Sequence, residues 1–354
     1  MKIIVSDVLQ HYHLEQFGIQ IFKDVIWSHF LRFRKEQEKF EFIDSLSIDF
    51  DSTYKKNYEE CINKGYKKTE ESKELSNLEE ILNEKTIQLI NDLLKKSKID
   101  IADISSISLS GQTVFHTNEM SYQIGNPDCI ADEFKVNVFS NFRNFDIKNG
   151  GFGAPLIPAF HKYLYSEINK EKIIFNIGGI ANGTYLKGND IYLASDVGPG
   201  NCLIDKVANK ELGLPFDKGG NFARKGNLIH TLLESLEAAS NNINFGYPRA
   251  DEKTSYYKLL DYGAFLEISS NDALRCLTEL TAEKIKNFFD YCNQPEEVIF
   301  HGGGAKNSFL MELLSEKLNR EIKTTDNEIP LKFVEAAGFA YLAYLEKGEI
   351  YNTK

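Results

Sequence analysis

The order of strand-like and helix-like segments is the feature that most limits how this chain can fold, because it occurs twice. Near the start, KIIVSDVL, QFGIQIF and VIWSHFLRFR are short and rich in β-branched and aromatic residues, which is typical of strands. In the middle, KIIFNIGG, GTYL and DIYLASDV repeat the pattern, with turn signals at IAN and KGND. Short links between neighbouring strands predict an antiparallel meander in each half.

A helix and a further strand follow each predicted meander. Amphipathic LEEILNEKTIQLINDLLKKSK leads to SSISLSG, and LTELTAEKIKNFFDYCN leads to VIFHGGG. This order predicts a duplicated α/β unit, and hence two domains that face a shared cleft. We place the first domain at residues 1–130 with 328–354 and the second at 131–327, and we expect helix with exposed connections over the charged, glycine-poor residues 34–80.

The net charge and the cysteine content limit which ligands and partners the protein can have. A formal net charge of −11 at pH 7 argues against a nucleic-acid partner, and an anionic small ligand would need a local positive pocket. The five cysteines form no Cys-x-x-Cys pair, so neither a disulfide framework nor a zinc site is predicted. No apolar run approaches the roughly 20 residues that span a bilayer. We therefore expect a cytoplasmic protein without a membrane partner.

The segment ASDVGPGN is the first candidate site. The predicted strand DIYLAS ends at Asp196, Gly198 and Gly200 permit a tight turn, and NCLIDKVANKEL follows as a predicted helix. Backbone N–H groups at the start of that helix could hold phosphate oxygens, with Asp196 as a general base beside them. The alternative is that Asp196 only caps the turn.

A second glycine-rich turn lies in VIFHGGGAKNSFLMELL. The predicted strand leads through Gly302, Gly303 and Gly304 into a predicted helix. Asn307 lies three positions after the last of these glycines. Three glycines leave room for a flat base or a ribose against the backbone. Two such turns in one half of the chain predict a nucleotide site.

Polar residues on either side of the predicted domain boundary suit a ligand rich in hydroxyls. Gln112, Thr113 and His116 follow the strand SSISLSG, although a lone histidine is more often structural than catalytic. Arg143 offers a planar fork that matches a carboxylate, and Asp146 could accept hydrogen bonds from sugar hydroxyls. The alternative for this last pair is a surface ion pair.

Taken in order, these motifs resemble the blocks of a known family. GQTVFH, QIGNP, FRNFDIKNGGFGAPLIPAFH, NIGGIAN, DVGPGN, LTELTA, GGGAKN, TTD and EAAGFAYLA are similar to segments of the anhydro-N-acetylmuramic acid kinases, over about Ser106 to Ala343. The resemblance implies a hexokinase/actin-like (ribonuclease H-like) fold with two duplicated domains flanking a central cleft. It also implies an ATP- and Mg²⁺-dependent kinase that opens a 1,6-anhydro sugar and phosphorylates its oxygen-6 in peptidoglycan recycling. A small-molecule sugar is then the partner, and a homodimer is the default assembly.

The resemblance also implies residue roles. Asp196 is the base that activates water, and Glu335 in VEAAGFAYLA is a carboxylate near the metal. The nucleotide residues are those of the two turns: Gly198, Gly200 and Asn201 at the phosphates, and Gly302, Gly303, Gly304 and Asn307 around the nucleoside.

This sequence departs from the family pattern in three places. The family's Gly-Thr-Ser-rich hairpin, which grips phosphate between the first two strands, corresponds to SDVLQHYHLEQFG, where His11, Tyr12 and His13 are bulky. Asn141 and Phe152 replace an aspartate and a glutamine on the sugar side, and PRADEKTSYY is a loose remnant of a Lys-Ser-Thr-Gly-Arg block. Two alternatives therefore stay open: a pseudokinase that binds a sugar or a partner, and a kinase for a different sugar.

Overall fold

The computed structural model describes residues 13–21, 25–34, 39–64, 72–117, 119–261 and 268–352. The predicted strand KIIVSDVL, together with His11 and Tyr12, lies outside the described residues. The chain divides into two compact units: unit 1 comprises Met1–Leu156 and Glu335–Lys354, and unit 2 comprises Ile157–Val334. No helix among the described residues has both the length and the apolar composition needed to cross a membrane.

Unit 1 contains a six-stranded sheet in the order β13-β7-β4-β1-β2-β3 and a separate two-stranded hairpin. The sheet strands are β1 (His13–Ile21), β2 (Val25–Arg34), β3 (Lys39–Asp49), β4 (Ile104–Leu109), β7 (Val138–Ser140) and β13 (Glu349–Tyr351). The hairpin is β5 (Gln112–His116) with β6 (Ser121–Ile124). The helices are α1 (Ser52–Asn63), α2 (Lys73–Ser97), α3 (Pro127–Phe134), α4 (Phe142–Lys148) and α11 (Val334–Tyr344).

The longest helix of unit 1 follows the predicted amphipathic pattern. The side chain of Ser72 caps the start of α2 by accepting a hydrogen bond from the Leu75 N–H at 3.0 Å. Leu78, Leu82 and Leu89 recur on one face and are buried in the core of the unit. The helix ends at Ser97, and the following residue, Lys98, caps it in a left-handed conformation (φ 57°). The helix prediction is therefore confirmed.

The described meander of unit 1 consists of β1, β2 and β3. Residues 16–21 of the predicted strand QFGIQIF lie in β1, VIWSHFLRFR is β2, and β3 is not among the predicted strands. The prediction of helix and connections over residues 34–80 is wrong at Lys39–Asp49, although α1 lies in this region. Antiparallel pairing with β2, for example Ile26 with Ile48, overrides the charged composition of this segment.

Unit 2 contains a five-stranded sheet in the order β10-β9-β8-β11-β12. Its strands are β8 (Glu171–Ile177), β9 (Ile180–Lys187), β10 (Asp190–Pro199), β11 (Glu297–His301) and β12 (Ile322–Thr324). Its helices are α5 (Pro158–Tyr165), α6 (Cys202–Leu212), α7 (His230–Ile243), α8 (Lys253–Tyr257), α9 (Ser270–Tyr291) and α10 (Ser308–Leu318). The predicted meander of this half is confirmed as β8, β9 and β10, all antiparallel.

The two sheets share one topology. In each, the first meander strand pairs in parallel with the strand that follows a long helix, β1 with β4 and β8 with β11. A second parallel strand extends each sheet, β7 in unit 1 and β12 in unit 2. The duplication that the sequence predicts is therefore present in the strand order. Because β7 pairs with β4 and β13, residues 131–156 belong to unit 1, and the observed boundaries are after Leu156 and Val334 rather than after 130 and 327.

Candidate active site

Asp196 lies near the carboxyl end of β10, an outer strand of the sheet of unit 2. Its partner on β9 is Asn182, and the next paired residue is Gly198 opposite Ala181, so Val197 is an extra residue in a β-bulge. Bulges re-aim side chains and are frequent beside active sites. The strand therefore leaves its regular pairing directly after the candidate base.

A second chain segment runs alongside Asp196 and fixes it. The Asp196 N–H donates to the Arg249 carbonyl at 3.0 Å, and the Arg249 N–H donates to the Ser195 hydroxyl at 2.9 Å. The Asp251 N–H donates to Oδ2 of Asp196 at 2.8 Å. The carboxylate is thus oriented by the Asp251 N–H, and its backbone by the Arg249 carbonyl. Sequence reasoning missed this contact, because PRADEKTSYY resembled only a remnant of the family block.

The segment is anchored by a buried ion pair. Arg249 Nε lies 3.2 Å from Oδ1 of Asp251, with the two side chains 12% and 0% exposed. Asp251 also accepts hydrogen bonds from the Tyr256 hydroxyl at 2.7 Å and the Asn244 amide at 2.6 Å. The Arg249 guanidinium in turn donates to the Val197 carbonyl in the bulge. We call this set of residues the Arg249–Asp251 clasp.

The turn after Asp196 donates three of its backbone amide hydrogens to a neighbouring turn. The Gly179 carbonyl accepts hydrogen bonds from the N–H groups of Gly200, at 3.0 Å, and Cys202, at 3.1 Å. The Gly178 carbonyl accepts from the Asn201 N–H at 2.8 Å. These three amide hydrogens are donated inside unit 2, and the role of this turn at the phosphates stays a prediction. Glycine is needed at Gly200 for close approach, because a Cβ there would lie 2.4 Å from the Gly178 oxygen.

The second glycine turn packs against the end of β8. Gly302 has a φ of +88°, and a Cβ there would lie 2.3 Å from the Asn176 side-chain oxygen. A Cβ added at Gly304 would lie 2.2 Å from Cγ2 of Ile177, whereas a Cβ added at Gly303 would have no atom within 4 Å. The outward side of the turn is therefore open at Gly303.

Asn307 has a structural contact in addition to its predicted role. Its side-chain oxygen accepts a hydrogen bond from the Leu310 N–H at 3.1 Å and so caps the start of α10. The Asn307 side chain also packs closely on Gly220, because a Cβ added at Gly220 would lie 2.3 Å from Oδ1 of Asn307. Asn307 therefore fixes the wall of the site through its helix and its neighbouring turn.

One pocket of about 350 Å³ joins both glycine turns. The first turn contributes Asn201 and the second contributes Gly303, Gly304 and Asn307. Sequence reasoning missed the third turn, FDKGG, although its paired glycines were a usable signal. The remaining lining residues are Ile204, Asp205, Phe216, Asp217, Lys218, Gly219, Lys306 and Lys332. The aromatic Phe216, 52% exposed, and three lysines make this pocket suited to a flat, anionic ligand.

In unit 1, two of the predicted sugar residues are tied to α1. The Gln112 side chain is buried and accepts a hydrogen bond from the Tyr54 hydroxyl at 2.5 Å. The Thr113 carbonyl accepts from the Tyr58 hydroxyl. Burial raises the pKa of Tyr58 and of Tyr54, so both phenols remain neutral donors. These contacts fix the first strand of the hairpin.

The other three predicted sugar residues surround the glycine turn at Gly153. Arg143 donates to the Gly153 carbonyl at 2.8 Å, and Oδ2 of Asp146 accepts from the Gly153 N–H at 2.8 Å. A Cβ on Gly153 would lie 2.9 Å from the His116 ring. Burial, and secondly the charge of Arg143, lower the pKa of His116 to about 4, so its ring is neutral at pH 7. The structure brings these three residues together around one turn.

The predicted metal carboxylate, Glu335, lies in the first turn of α11. Within the part of the chain that the structure describes, no group of three or more His, Cys, Asp or Glu residues could hold a metal ion. A protein-only metal cage is therefore absent from these residues.

The predicted counterpart of the family's phosphate hairpin is only partly described. Residues 13–18 of SDVLQHYHLEQFG are part of β1, and the rest of the segment lies outside the described residues. The first two described strands, β1 and β2, pair from Ile21 with Ile26 and are joined by residues 22–24. That link lies outside the described residues.

A family model described as anhydro-N-acetylmuramic acid kinase matches residues 35–350. The chain belongs to the anhydro-N-acetylmuramic acid kinase family. The match begins after the segment in which the family's phosphate hairpin is expected, in agreement with the departure seen there.

Two curated proteins named anhydro-N-acetylmuramic acid kinase illustrate the relationship. The protein from Shewanella frigidimarina (strain NCIMB 400) is 35% identical, over 78% of this chain and 77% of its own length. The protein from Gamma-proteobacterium EBAC31A08 is 34% identical, over 72% of this chain and 71% of its own length. The kinase family predicted from ordered motifs is thus confirmed.

A solved structure supports the fold. The activator of the 2-hydroxyisocaproyl-CoA dehydratase from Clostridium difficile, with bound ADPNP, is similar at a TM-score of 0.50 and 14% identity. The similarity covers 94% of this chain and 96% of that chain. Together with the repeated strand order, it confirms the predicted α/β fold with two duplicated units.

Proposed function

We propose that this chain is an ATP-dependent kinase that opens the 1,6-anhydro ring of anhydro-N-acetylmuramic acid and phosphorylates its oxygen-6. The observation that carries the proposal is one pocket lined by both glycine turns. The first of these turns directly follows Asp196 in the chain. Family membership supplies the sugar, and the site supplies a held carboxylate and a place for a nucleotide. The physiological process is then the recycling of cell-wall fragments.

Asp196 acts as the general base on water. It takes one proton as the water oxygen bonds to the anomeric carbon of the sugar, and the bond from that carbon to oxygen-6 breaks. Oxygen-6 then bonds to the γ-phosphorus of ATP, and the bond from that phosphorus to the ADP oxygen breaks. The products are the sugar 6-phosphate and ADP, and Asp196 returns its proton to solvent. The hydrogen bond from the Asp251 N–H keeps the base oriented before the reaction.

The nucleotide occupies the pocket between the glycine turns. The open face of Gly303 and the exposed ring of Phe216 are suited to adenosine, because both offer flat contact surfaces. Lys218, Lys306 and Lys332 supply the positive charge that an anionic ligand needs on a chain of net charge −11. Phosphoryl transfer depends on such positioning and neutralisation of charge.

Mg²⁺ enters this proposal with the nucleotide. In kinase sites it is typically held by one or two carboxylates together with substrate phosphates and waters, so a cluster of three protein ligands is not required. Asp205 lines the nucleotide pocket and fits this requirement as a single carboxylate. Glu335 stays a predicted ligand. The ion would supply neutralisation of the phosphate charge.

The sugar is held by the residues around Gly153, namely His116, Arg143 and Asp146, with Gln112 and Thr113 on the same strand as His116. A second candidate function, a kinase for a different sugar, is favoured by one observation. Phe152, which replaces a family glutamine, is 64% exposed on this same turn. An exposed aromatic ring can stack on the apolar face of a sugar ring and would alter the preference among sugars.

The setting of the enzyme follows from its chemistry. All five cysteines are free thiols, which supports a reducing compartment and hence the cytoplasm. The partner is a small-molecule sugar. The homodimer stays a prediction from the general frequency of two-fold assemblies.

The test is product formation from ATP, Mg²⁺ and 1,6-anhydro-N-acetylmuramic acid, followed by mass spectrometry of the sugar 6-phosphate. Asp196→Asn should lower kcat by about 10³-fold or more, because the base is lost. Asp190→Asn is a matched control on the same strand, since its side chain is 87% exposed at the other end of β10, and it should stay within about twofold. Wild-type product no higher than that of Asp196→Asn would refute the kinase. Nucleotide binding without turnover would favour a pseudokinase.

A further inference from the structure

Lys253 lies directly over the turn that joins β8 to β9. It is the first residue of α8 and follows Asp251, which contacts the base, by two positions. A Cβ placed on Gly179 would lie 2.4 Å from Cε of Lys253 and 2.8 Å from Nζ. The lysine side chain therefore fills the space that the missing side chain of Gly179 leaves.

The same ammonium group acts on the start of α6. Burial raises the pKa of the Cys202 thiol to about 12, and the charge of Lys253 is the largest effect that opposes this rise. Within the described residues, Nζ of Lys253 has no hydrogen-bond acceptor and no carboxylate partner, and the residue is exposed. Arg249, four positions earlier, is by contrast paired to Asp251. Lys253 thus carries an uncompensated charge at the turn that follows Asp196.

Three backbone donors of this turn are already used. The amide hydrogens of Gly200, Asn201 and Cys202 are donated to the carbonyls of Gly178 and Gly179. A cationic side chain beside these amides can neutralise a phosphoryl group that approaches the turn. A lysine is well suited to this role, because its ammonium is a compact point charge on a flexible stem.

We propose that Lys253 contacts the transferred phosphoryl group of ATP and stabilises the charge that develops on it during transfer to oxygen-6. This inference rests on the proposed kinase function and adds a residue to it. Hydrogen bonds connect the surroundings of Lys253 to both parts of the proposed site. Asp251, two positions before Lys253, donates to Asp196, and the Gly178 carbonyl, next to Gly179, accepts from Asn201, which lines the pocket.

Three variants test the proposal. Lys253→Met removes the charge at nearly constant length, and Lys253→Arg keeps the charge. Lys187→Met is the matched control, because this exposed lysine lies far from Gly179. Lys187 is the last residue of β9, and Ile180, which follows Gly179, is the first. Eight residues of strand separate the two ends by roughly 25 Å. Circular dichroism of each variant checks that it folds.

Turnover and calorimetry give two independent readouts. We expect Lys253→Met to lower kcat about 100-fold, Lys253→Arg to recover at least about tenfold of that loss, and Lys187→Met to stay within about twofold. In calorimetry with a β,γ-imido analogue of ATP, Lys253→Met should weaken binding about tenfold, with ADP changed less than about threefold.

Each outcome decides the role of Lys253. A Lys253→Met enzyme with wild-type kcat and wild-type affinity for the analogue overturns the inference, and so does an equal loss of affinity for the analogue and for ADP. If the wild type does not phosphorylate the sugar, the proposed function fails, and the difference between the analogue and ADP still decides whether Lys253 contacts the terminal phosphate.

Discussion

Asp251→Asn is the sharpest test of the Arg249–Asp251 clasp, because it keeps the shape of the side chain and removes its charge. Oδ1 of Asp251 accepts a hydrogen bond from Asn244 and lies 3.2 Å from Nε of Arg249, and Oδ2 accepts hydrogen bonds from Tyr256 and Arg249. An asparagine turns one of these two oxygens into a donor that faces other donors. The Arg249 guanidinium is then left without its buried counter-charge.

The expected cost follows from burial. Removing one partner of a buried ion pair typically costs about 3–5 kcal/mol, since the other charge remains desolvated. Arg249 is still 12% exposed, and it keeps its bond to the Val197 carbonyl, so we expect about 3 kcal/mol, at the lower end of that range. The backbone contacts from the clasp to Asp196 should loosen as well. A displacement of about 1 Å at a catalytic group can cost about 100-fold in rate, so kcat should fall by about that factor.

The assay is urea unfolding followed by circular dichroism, together with a double-mutant cycle with Arg249→Met. The double variant should be destabilised by less than the sum of the two single variants. Glu312→Gln is the matched control, because it removes the same charge from an ion pair with Arg224 in which both side chains are largely exposed. Its unfolding midpoint should scarcely change. The reasoning is refuted if Asp251→Asn costs no more than Glu312→Gln, or if the cycle is additive.

Two further predictions concern the glycine turn and the histidines beneath it. Gly304→Ala should lower the unfolding midpoint and weaken ATP binding at least about tenfold in calorimetry, because its Cβ would lie 2.2 Å from Cγ2 of Ile177. Gly303→Ala should retain the wild-type unfolding midpoint, and equal unfolding midpoints for the two variants would contradict this reasoning. Acidification should destabilise the fold, because burial lowers the pKa of His161 to about 3 and that of His301 well below 6.5, while the two rings share a hydrogen bond of 2.9 Å. The unfolded chain binds these protons below pH 6.5 and the folded chain does not, so the loss should approach about 1.4 kcal/mol per histidine per pH unit below 6.5. Thermal midpoints measured from pH 7.5 to 5.0 check this, and a constant or rising midpoint would contradict it.

Local patterns were enough to find most of the fold. The helix of unit 1 could be predicted because Leu78, Leu82 and Leu89 repeat at helical spacing. The meander of unit 2 could be predicted because its strands are short, β-rich and separated by turn residues. The strand at Lys39–Asp49 could not be found in this way, since its charged residues resemble an exposed connection and only pairing with β2 makes it a strand.

The residues of the candidate site could likewise be predicted from the sequence, whereas most of their contacts could not. The sequence identifies Asp196 at a strand end, the glycines at two turns and the family to which these motifs belong, because residue types and spacings are local properties of the chain. The partner of each polar group is a property of the folded chain. Only the tertiary structure shows that the amides after Asp196 are turned inward and that Arg249 and Asp251 fix the base from 53 and 55 positions away. It also shows that Lys253 fills the space beside Gly179 without an ion-pair partner among the described residues. Hydrogen bonds and ion pairs join segments that are distant in sequence, so no local pattern records them.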